Sequence, residues 1–300
     1  MAPTFMTLPP ELRELIYAEV FSTFNIRHGF RRGSADNRIA LFLTCRQVHH
    51  EAWRLLPLHA TFYFQGTEPM LKTLLSVDQS VITRIRHIHV KSYPFPLYAN
   101  GRQDYYPTYY FSNALSLFPG LHLDRLVVED SFHGYGLLDN WRDVVTYFDI
   151  ESLLKSNGWR ELHYISPNPD FMTSTQDHRK KRVAQPENWN TMLLERDGKT
   201  SGAEVKMYIT PNTMNPSETP ITQPWSAIPG HELLDAGILN LEQVQGVVRV
   251  VARRGRTANV VITGLAHKQP WRVMKDNGIK REGEDISTVS TLPKNLEDLS

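Results

Sequence analysis

Apolar residues recur at three- and four-residue spacing twice near the start of the chain. The first stripe is Leu8, Leu12, Leu15, Ile16 and Val20, and the second is Leu41, Cys45, Val48, Ala52 and Leu55 or Leu56. That spacing predicts two amphipathic helices, each with a face that needs a partner. The simplest arrangement has the two helices bury each other. Pro9 and Pro10 suit a first helical turn, where their missing N–H groups would have no partner anyway. Glu11 then sits at the positive end of the helix dipole. Between the stripes, residues 25–37 are polar and basic, with Arg27, Arg31, Arg32, Gly29 and Gly33.

Further on, the pattern shifts to short apolar strands alternating with helical stretches. Three trios share one spacing: Ile85, Ile88 and Val90; Leu123, Leu126 and Val128; Trp159, Leu162 and Tyr164. They begin 36 to 38 residues apart, each after a candidate helix at 70–77, 111–118 or 144–154. Phe118, Pro119 and Gly120 predict a helix stop before the second strand. Such a recurrence fits a leucine-rich-repeat-like stack, in which neighbours form a partly parallel sheet with helices outside. It equally fits ordinary strand–helix–strand units.

Within either arrangement His89, Val127 and His163 face outward from the sheet. The neighbouring loop, 93–110, holds Tyr93, Tyr98, Tyr105, Tyr106, Tyr109 and Tyr110. Exposed tyrosines give broad amphipathic contact area, so His89, His163, Tyr98, Tyr105, Tyr106 and Tyr109 are candidate target-binding residues. The other reading has these rings packed down as a lid.

The second half is less regular. A loop at 166–186 carries the basic run 178–182, a nuclear address, a phosphate contact or a solvated loop. Residues 187–195 predict a helix, and Val205, Met207 and Ile209 a strand that could close a fourth unit. A five-proline loop follows at 211–229, then a helix at 231–244. Residues 247–252 and 257–262 predict a hairpin across 253–256. From 276 onward the polar composition predicts a disordered tail.

Composition is that of a globular protein, 41% hydrophobic and 22% charged, with a net charge of +1. No bulk electrostatic case exists for nucleic acid or a membrane surface. Cys45 is the only cysteine, so intramolecular disulfides and thiolate clusters are excluded. No apolar run approaches the ~20 residues of a bilayer span. The start of the chain lacks a signal-peptide pattern, so the expected location is cytoplasmic or nuclear.

A search for chemistry yields little. There is no Gly-x-Ser-x-Gly elbow, no phosphate-cradling Gly-Lys-Ser/Thr loop and no His-Glu-x-x-His. His87 and His89 project to one strand face, and His122, Asp124, His133 or His163 could supply a third metal ligand. Two strand histidines are more often plain polar surface, and no metal or cofactor is expected. Cys45 lies on its helix's apolar stripe, which points to a small core residue.

The N-terminal residues carry a more specific signal. Leu8, Pro9, Glu11, Leu12, Arg13, Ile16 and Tyr17, then Leu41, Thr44, Cys45, Arg46 and Gln47, then Glu51 and Ala52, resemble the F-box-like opening of filamentous-fungal proteins. The match covers about a fifth of the chain, and the polar insertion at 25–37 departs from a standard F-box. In that family an F-box docks on the Skp adaptor and so joins a cullin ubiquitin ligase. The resemblance implies that Leu8, Pro9, Leu12 and Ile16 face the adaptor. An F-box-like head before repeats is a common order in substrate receptors, which favours the stack.

The expected fold is therefore α+β or α/β. A helical F-box-like module spans 1–66 and an irregular repeat-like α/β domain 67–275, with a tail at 276–300. The expected function is a non-enzymatic substrate receptor of a cullin-type ligase. A structural or interaction protein without a ligase link is the alternative, and a metal-dependent hydrolase using His87 and His89 a third.

Overall fold

The computed structural model describes residues 5–28, 41–42, 44–92, 95–96, 108–131, 141–167, 169–173, 175–176, 182–211, 217–222, 224–225 and 246–263. Helix α1 (Pro10–Ser22) starts at the expected prolines, with Glu11 in its first turn. Strand β1 (Asn25–His28) follows at once, so the polar spacer opens as a strand. Helix α2 (Arg46–His59) begins at Cys45, whose Sγ accepts a hydrogen bond from the Val48 backbone N–H at 3.5 Å. Cys45 is exposed there. This corrects the expected core placement, because a capping side chain turns back toward the helix end and away from the packing face.

The chain then alternates strand and helix. Strand β2 (Thr61–Phe64) leads into α3 (Thr67–Leu74) and the single-turn α4 (Gln79–Ile82), then β3 (His87–Ser92). A small pair, β4 (Phe95–Pro96) and β5 (Thr108–Tyr109), precedes α5 (Phe111–Leu115), β6 (Leu123–Asp130), α6 (Trp141–Lys155) and β7 (Trp159–Ser166). A second small pair, β8 (Thr175–Gln176) and β9 (Arg182–Val183), leads to α7 (Trp189–Asp197), β10 (Glu204–Pro211), β11 (Thr219–Pro220) and β12 (Gly246–Arg253).

Eight strands form one sheet in the order β1-β2-β3-β6-β7-β12-β10-β11. The first five run parallel, each joined to the next through helices, as parallel neighbours require. β12 is antiparallel to β7, β10 to β12, and β11 to β10. The fold is thus α+β with a mixed, partly parallel sheet.

The three apolar trios lie side by side in register. Ile88 pairs with Leu126 and Leu126 with Leu162, and Val90, Val128 and Tyr164 form the next row. All six are buried against Met70, Leu71, Leu115, Ile150, Leu153 and Leu193 from the helices. Strand pleating sends alternate side chains to opposite faces, so the helices cover one face of the sheet. His89, Val127 and His163 share the other, half-exposed face. Between α5 and β6, Gly120 makes the expected turn with φ +81°, a conformation that favours glycine.

A smaller cluster of Tyr17, Phe21, Phe24, Val48, Ala52 and Ala60 holds α1 to α2, separate from the main core. The sheet nevertheless continues from β2 to β3 across the expected boundary at residue 66.

Three expectations are corrected. β10 does not extend the parallel series as a fourth unit, because β12 inserts between it and β7. The hairpin at 247–262 is absent: β12 pairs with β7 and β10, and its continuation lies across the sheet's end. There the Gly158 N–H donates to Val260 O, Gly120 N–H to Ile262 O, and Ile262 N–H to Leu121 O. The loop at 166–186 contains a short 3₁₀ turn (Pro169–Thr173) that buries Phe171 and Met172. The helix expected at 231–244, the basic run 178–181 and the tail at 276–300 lie outside the described residues. Among those described, no helix is long and apolar enough to cross a membrane.

Candidate functional site

Two surfaces hold the candidate residues, and the first is α1. Its buried face is not the leucine stripe. Arg13, Tyr17 and Phe21, spaced by four, turn inward instead. Arg13 Nε donates to Glu51 Oε2 at 2.9 Å, one terminal nitrogen donates to Oε1 at 2.7 Å, and the other reaches the Leu8 carbonyl at 2.5 Å. Tyr17 Oη donates to Glu51 Oε2 at 3.1 Å and Gln47 to Oε1 at 3.0 Å. The Arg13 hydrogen bond, helped by Gln47, pulls the Glu51 pKa down to about 2. Burial, then the bond to Glu51, pushes the Tyr17 phenol up to about 12.

This rotation leaves Leu12, Leu15 and Ile16 outside, 47%, 66% and 40% exposed. Pro9 is exposed beside them and Leu8 is half-buried. Glu11, Glu14 and Glu19, all exposed, rim the apolar strip. Apolar side chains at adjacent helical positions on a solvent-facing ridge mark an interaction surface more often than isolated exposed leucines do. Of the four residues that the resemblance implies face an adaptor, Leu12 and Ile16 lie exposed on α1, Pro9 is exposed at its N-cap, and Leu8 precedes it half-buried. The sequence signal missed was the Arg13–Tyr17–Phe21 spacing, which competes with the leucine stripe for the core.

The second surface is the open face of the sheet. Tyr63, His89, Val127, His163 and Val251 form one row across β2, β3, β6, β7 and β12. Two carboxylates organise it. Glu129 accepts from Tyr63 Oη at 3.2 Å and His89 Nε2 at 3.3 Å, and lies 3.3 Å from Lys91 Nζ. Glu161 contacts His163 Nε2 at 2.5 Å, Arg253 Nε at 2.9 Å and Arg125 at 3.3 Å. Burial opposes ionisation of Glu161, but the hydrogen bonds from His163 and Arg253 outweigh it and hold the pKa at about 2. Arg249 approaches His163 Nδ1 at 3.4 Å, which assigns the ring proton to Nε2, facing Glu161. The same guanidinium lies over the Tyr208 ring at 5.1 Å.

His87 shares the face of His89, two residues away on β3. Burial lowers the pKa of both. His122 turns to the Gly120 carbonyl at 3.0 Å. Among the described residues no three His, Cys, Asp or Glu side chains converge as a ligand set; His133 lies outside them. Tyr98, Tyr105 and Tyr106 also lie outside the described residues. Tyr109 is placed only as backbone in β5, and Tyr110 is half-buried at the start of α5.

Sequence reasoning did not single out the buried polar groups on the helix side. Asp149 accepts from the Phe111 N–H at 2.8 Å and Tyr164 Oη at 3.2 Å, tying α5 to α6 and β7. Burial raises its pKa to about 7 against those two donors. Arg254 and Asp197 form a buried ion pair at the end of β12, with Arg254 Nε 2.8 Å from Asp197 Oδ2. Its partners sit 57 residues apart, beyond local sequence pattern.

The class defined by these features is an α+β protein with a one-sided helical layer, a polar sheet face and an exposed apolar helix. No protein-family model, curated protein or solved structure matches the chain.

Proposed function

We propose that this chain is a non-enzymatic substrate receptor of a cullin-type ubiquitin ligase. Helix α1 would dock on a Skp-type adaptor through Pro9, Leu12 and Ile16, with Leu8 at the edge. The polar sheet face would hold a protein target, with His89 and His163 in its central row. Catalysis would come from proximity alone, since the receptor holds the target where a separate conjugating enzyme reaches its lysines. Such a protein works in the cytoplasm or nucleus. The observation that carries the reading is the exposure of Leu12, Leu15 and Ile16, left outside while Arg13, Tyr17 and Phe21 fill the inner face of the same helix.

A second reading is a structural or interaction protein without a ligase link. It is favoured by one feature: β1 and β2 belong to the same sheet as the rest of the chain, so the module is built into the body. A pull-down with purified Skp adaptor separates the two, run beside a Leu12→Asp/Ile16→Asp variant whose fold is checked by circular dichroism. Capture of the wild type and loss in the folded variant supports the receptor. Absence of capture by folded wild type sinks it in favour of the second reading.

A further inference from the structure

One end of the sheet, where β3, β6 and β7 begin and β12 finishes, is rich in arginine. Arg84 and Arg86 precede β3, Arg125 lies on β6, Arg160 on β7, and Arg253 and Arg256 close β12. Strand pairing places Arg125, Glu161, Arg253 and Glu204 in one continuous row. Neighbouring strands are about 4.8 Å apart, so the edge from β3 to β12 extends roughly 15 Å.

The acids on this edge are fewer. Asp124, Glu161 and Glu204 face the six arginines, while Asp197 is consumed by the buried Arg254. Lys206 draws further on Glu204 at 2.7 Å. Several guanidiniums are held by backbone oxygens. Arg86 donates to the Thr83 and Ile85 carbonyls at 2.9 Å each, Arg84 to the Arg54 carbonyl, and Arg160 to Gly255 and Arg256 at 3.5 and 3.4 Å. A carbonyl fixes a guanidinium's direction without cancelling its charge. Arg125 and Arg253, 58% and 54% exposed, flank the less exposed carboxylate of Glu161, and Arg253 also reaches Glu204 at 3.2 Å.

We infer that this arginine edge receives an acidic peptide segment of a partner protein, its Asp and Glu carboxylates lying across Arg125 and Arg253, which share one row of the sheet. The planar guanidinium fork matches a carboxylate bidentately, whereas Glu161 meets Arg253 and Arg125 through one nitrogen each, so each fork keeps donors for a further carboxylate. The surplus is local: the chain's net charge is only +1, and an exposed acidic group, Glu11, Glu14 and Glu19, sits on α1. A concentrated positive edge on a near-neutral protein steers an acidic partner to one place. The inference deepens the receptor reading by giving the target's chemistry, and it is tested without the adaptor, so either can fail alone.

The test uses the full chain and fluorescence anisotropy with three labelled probes: an Asp/Glu-rich peptide, a Lys-rich peptide and a single-stranded DNA oligonucleotide. The acidic peptide binds best, more weakly as salt rises. An Arg125→Ala/Arg253→Ala variant loses roughly tenfold in affinity. A Lys72→Ala/Lys155→Ala control, which removes equal charge from the helix layer, binds like wild type. A charge-preserving Arg125→Lys/Arg253→Lys variant also weakens binding, since the fork is gone. Tighter binding of the oligonucleotide, no binding of the acidic peptide, or equal loss in the control overturns the inference. The ranking of the three probes on wild type decides the ligand class even where a variant fails to fold.

Discussion

Arg13 and Glu51 lie 38 residues apart in sequence and meet side by side, Nε to Oε2 at 2.9 Å and a terminal nitrogen to Oε1 at 2.7 Å. That pair sets the rotation of α1 and therefore which residues reach solvent. Glu51 titrates below its ordinary value of 4.5, at about 2. A depressed carboxylate contributes stability that is present above the unfolded value and lost as pH falls through the folded one. Wild type should therefore lose stability between about pH 4.5 and 2, and Glu51→Gln should lose less over that window. At neutral pH the variant should melt on the order of 5 °C lower. Thermal melts across the pH range check both.

The two faces of α1 should respond oppositely to substitution. Phe21 is fully buried, and Phe21→Ala should cost about 3–5 kcal/mol by chemical denaturation. Leu12→Asp replaces an exposed side chain and should change stability by no more than about 0.5 kcal/mol. Equal costs at the two positions would contradict the observed rotation.

Asp149 behaves in the reverse sense to Glu51. Burial lifts its pKa from 3.8 to about 7, so its contribution is present at low pH and is lost as pH rises through about 7. Asp149→Asn keeps an acceptor for the Phe111 N–H and removes the buried charge. Its stability should change less than wild type's between about pH 4 and 7, and exceed wild type's at the upper end. Denaturant titrations at several pH values read this directly.

Glu161→Gln removes the carboxylate between Arg125 and Arg253. These are partly exposed pairs, so the stability loss should be small, about 1 kcal/mol or less. Affinity for an acidic peptide should rise, because Arg125 then loses its carboxylate and Arg253 keeps only Glu204. Anisotropy titration of the variant checks it, and unchanged or weaker binding counts against the arginine edge.

Gly158 has φ +109°, and a Cβ there would lie 2.9 Å from Ile262 Cδ1. Gly158→Ala should destabilise by about 1–2 kcal/mol. It should also raise amide exchange at Gly120, whose N–H donates to the Ile262 carbonyl.

Much of the sheet was legible. The trios at 85, 123 and 159 marked β3, β6 and β7, and placed His89, Val127 and His163 on one outward row. Burial on a pleated strand imposes a period of two, which short windows reveal. The turn at Gly120 was readable from local backbone chemistry. The rotation of α1 was not, because its inner face includes a charged residue that is acceptable only beside Glu51. Nor was the place of β12, since its registers with β7 and β10 depend on long-range pairing. Cys45 misled because a helix-start position and a helix-face position share the same spacing.

The interior location of β12 bears on how the molecule is born. Of the described strands, β12 comes last in the chain yet takes its seat between two made earlier, so β10 and β11 have no template on the growing sheet until residue 253 has emerged. A nascent chain stopped before then presents the bare edge of β7, a strand of eight residues, to its neighbours. Unpaired edges of that length invite association between chains. Completion of the described sheet therefore waits on β12, and chains that have made β7 but not β12 are the species most exposed to association.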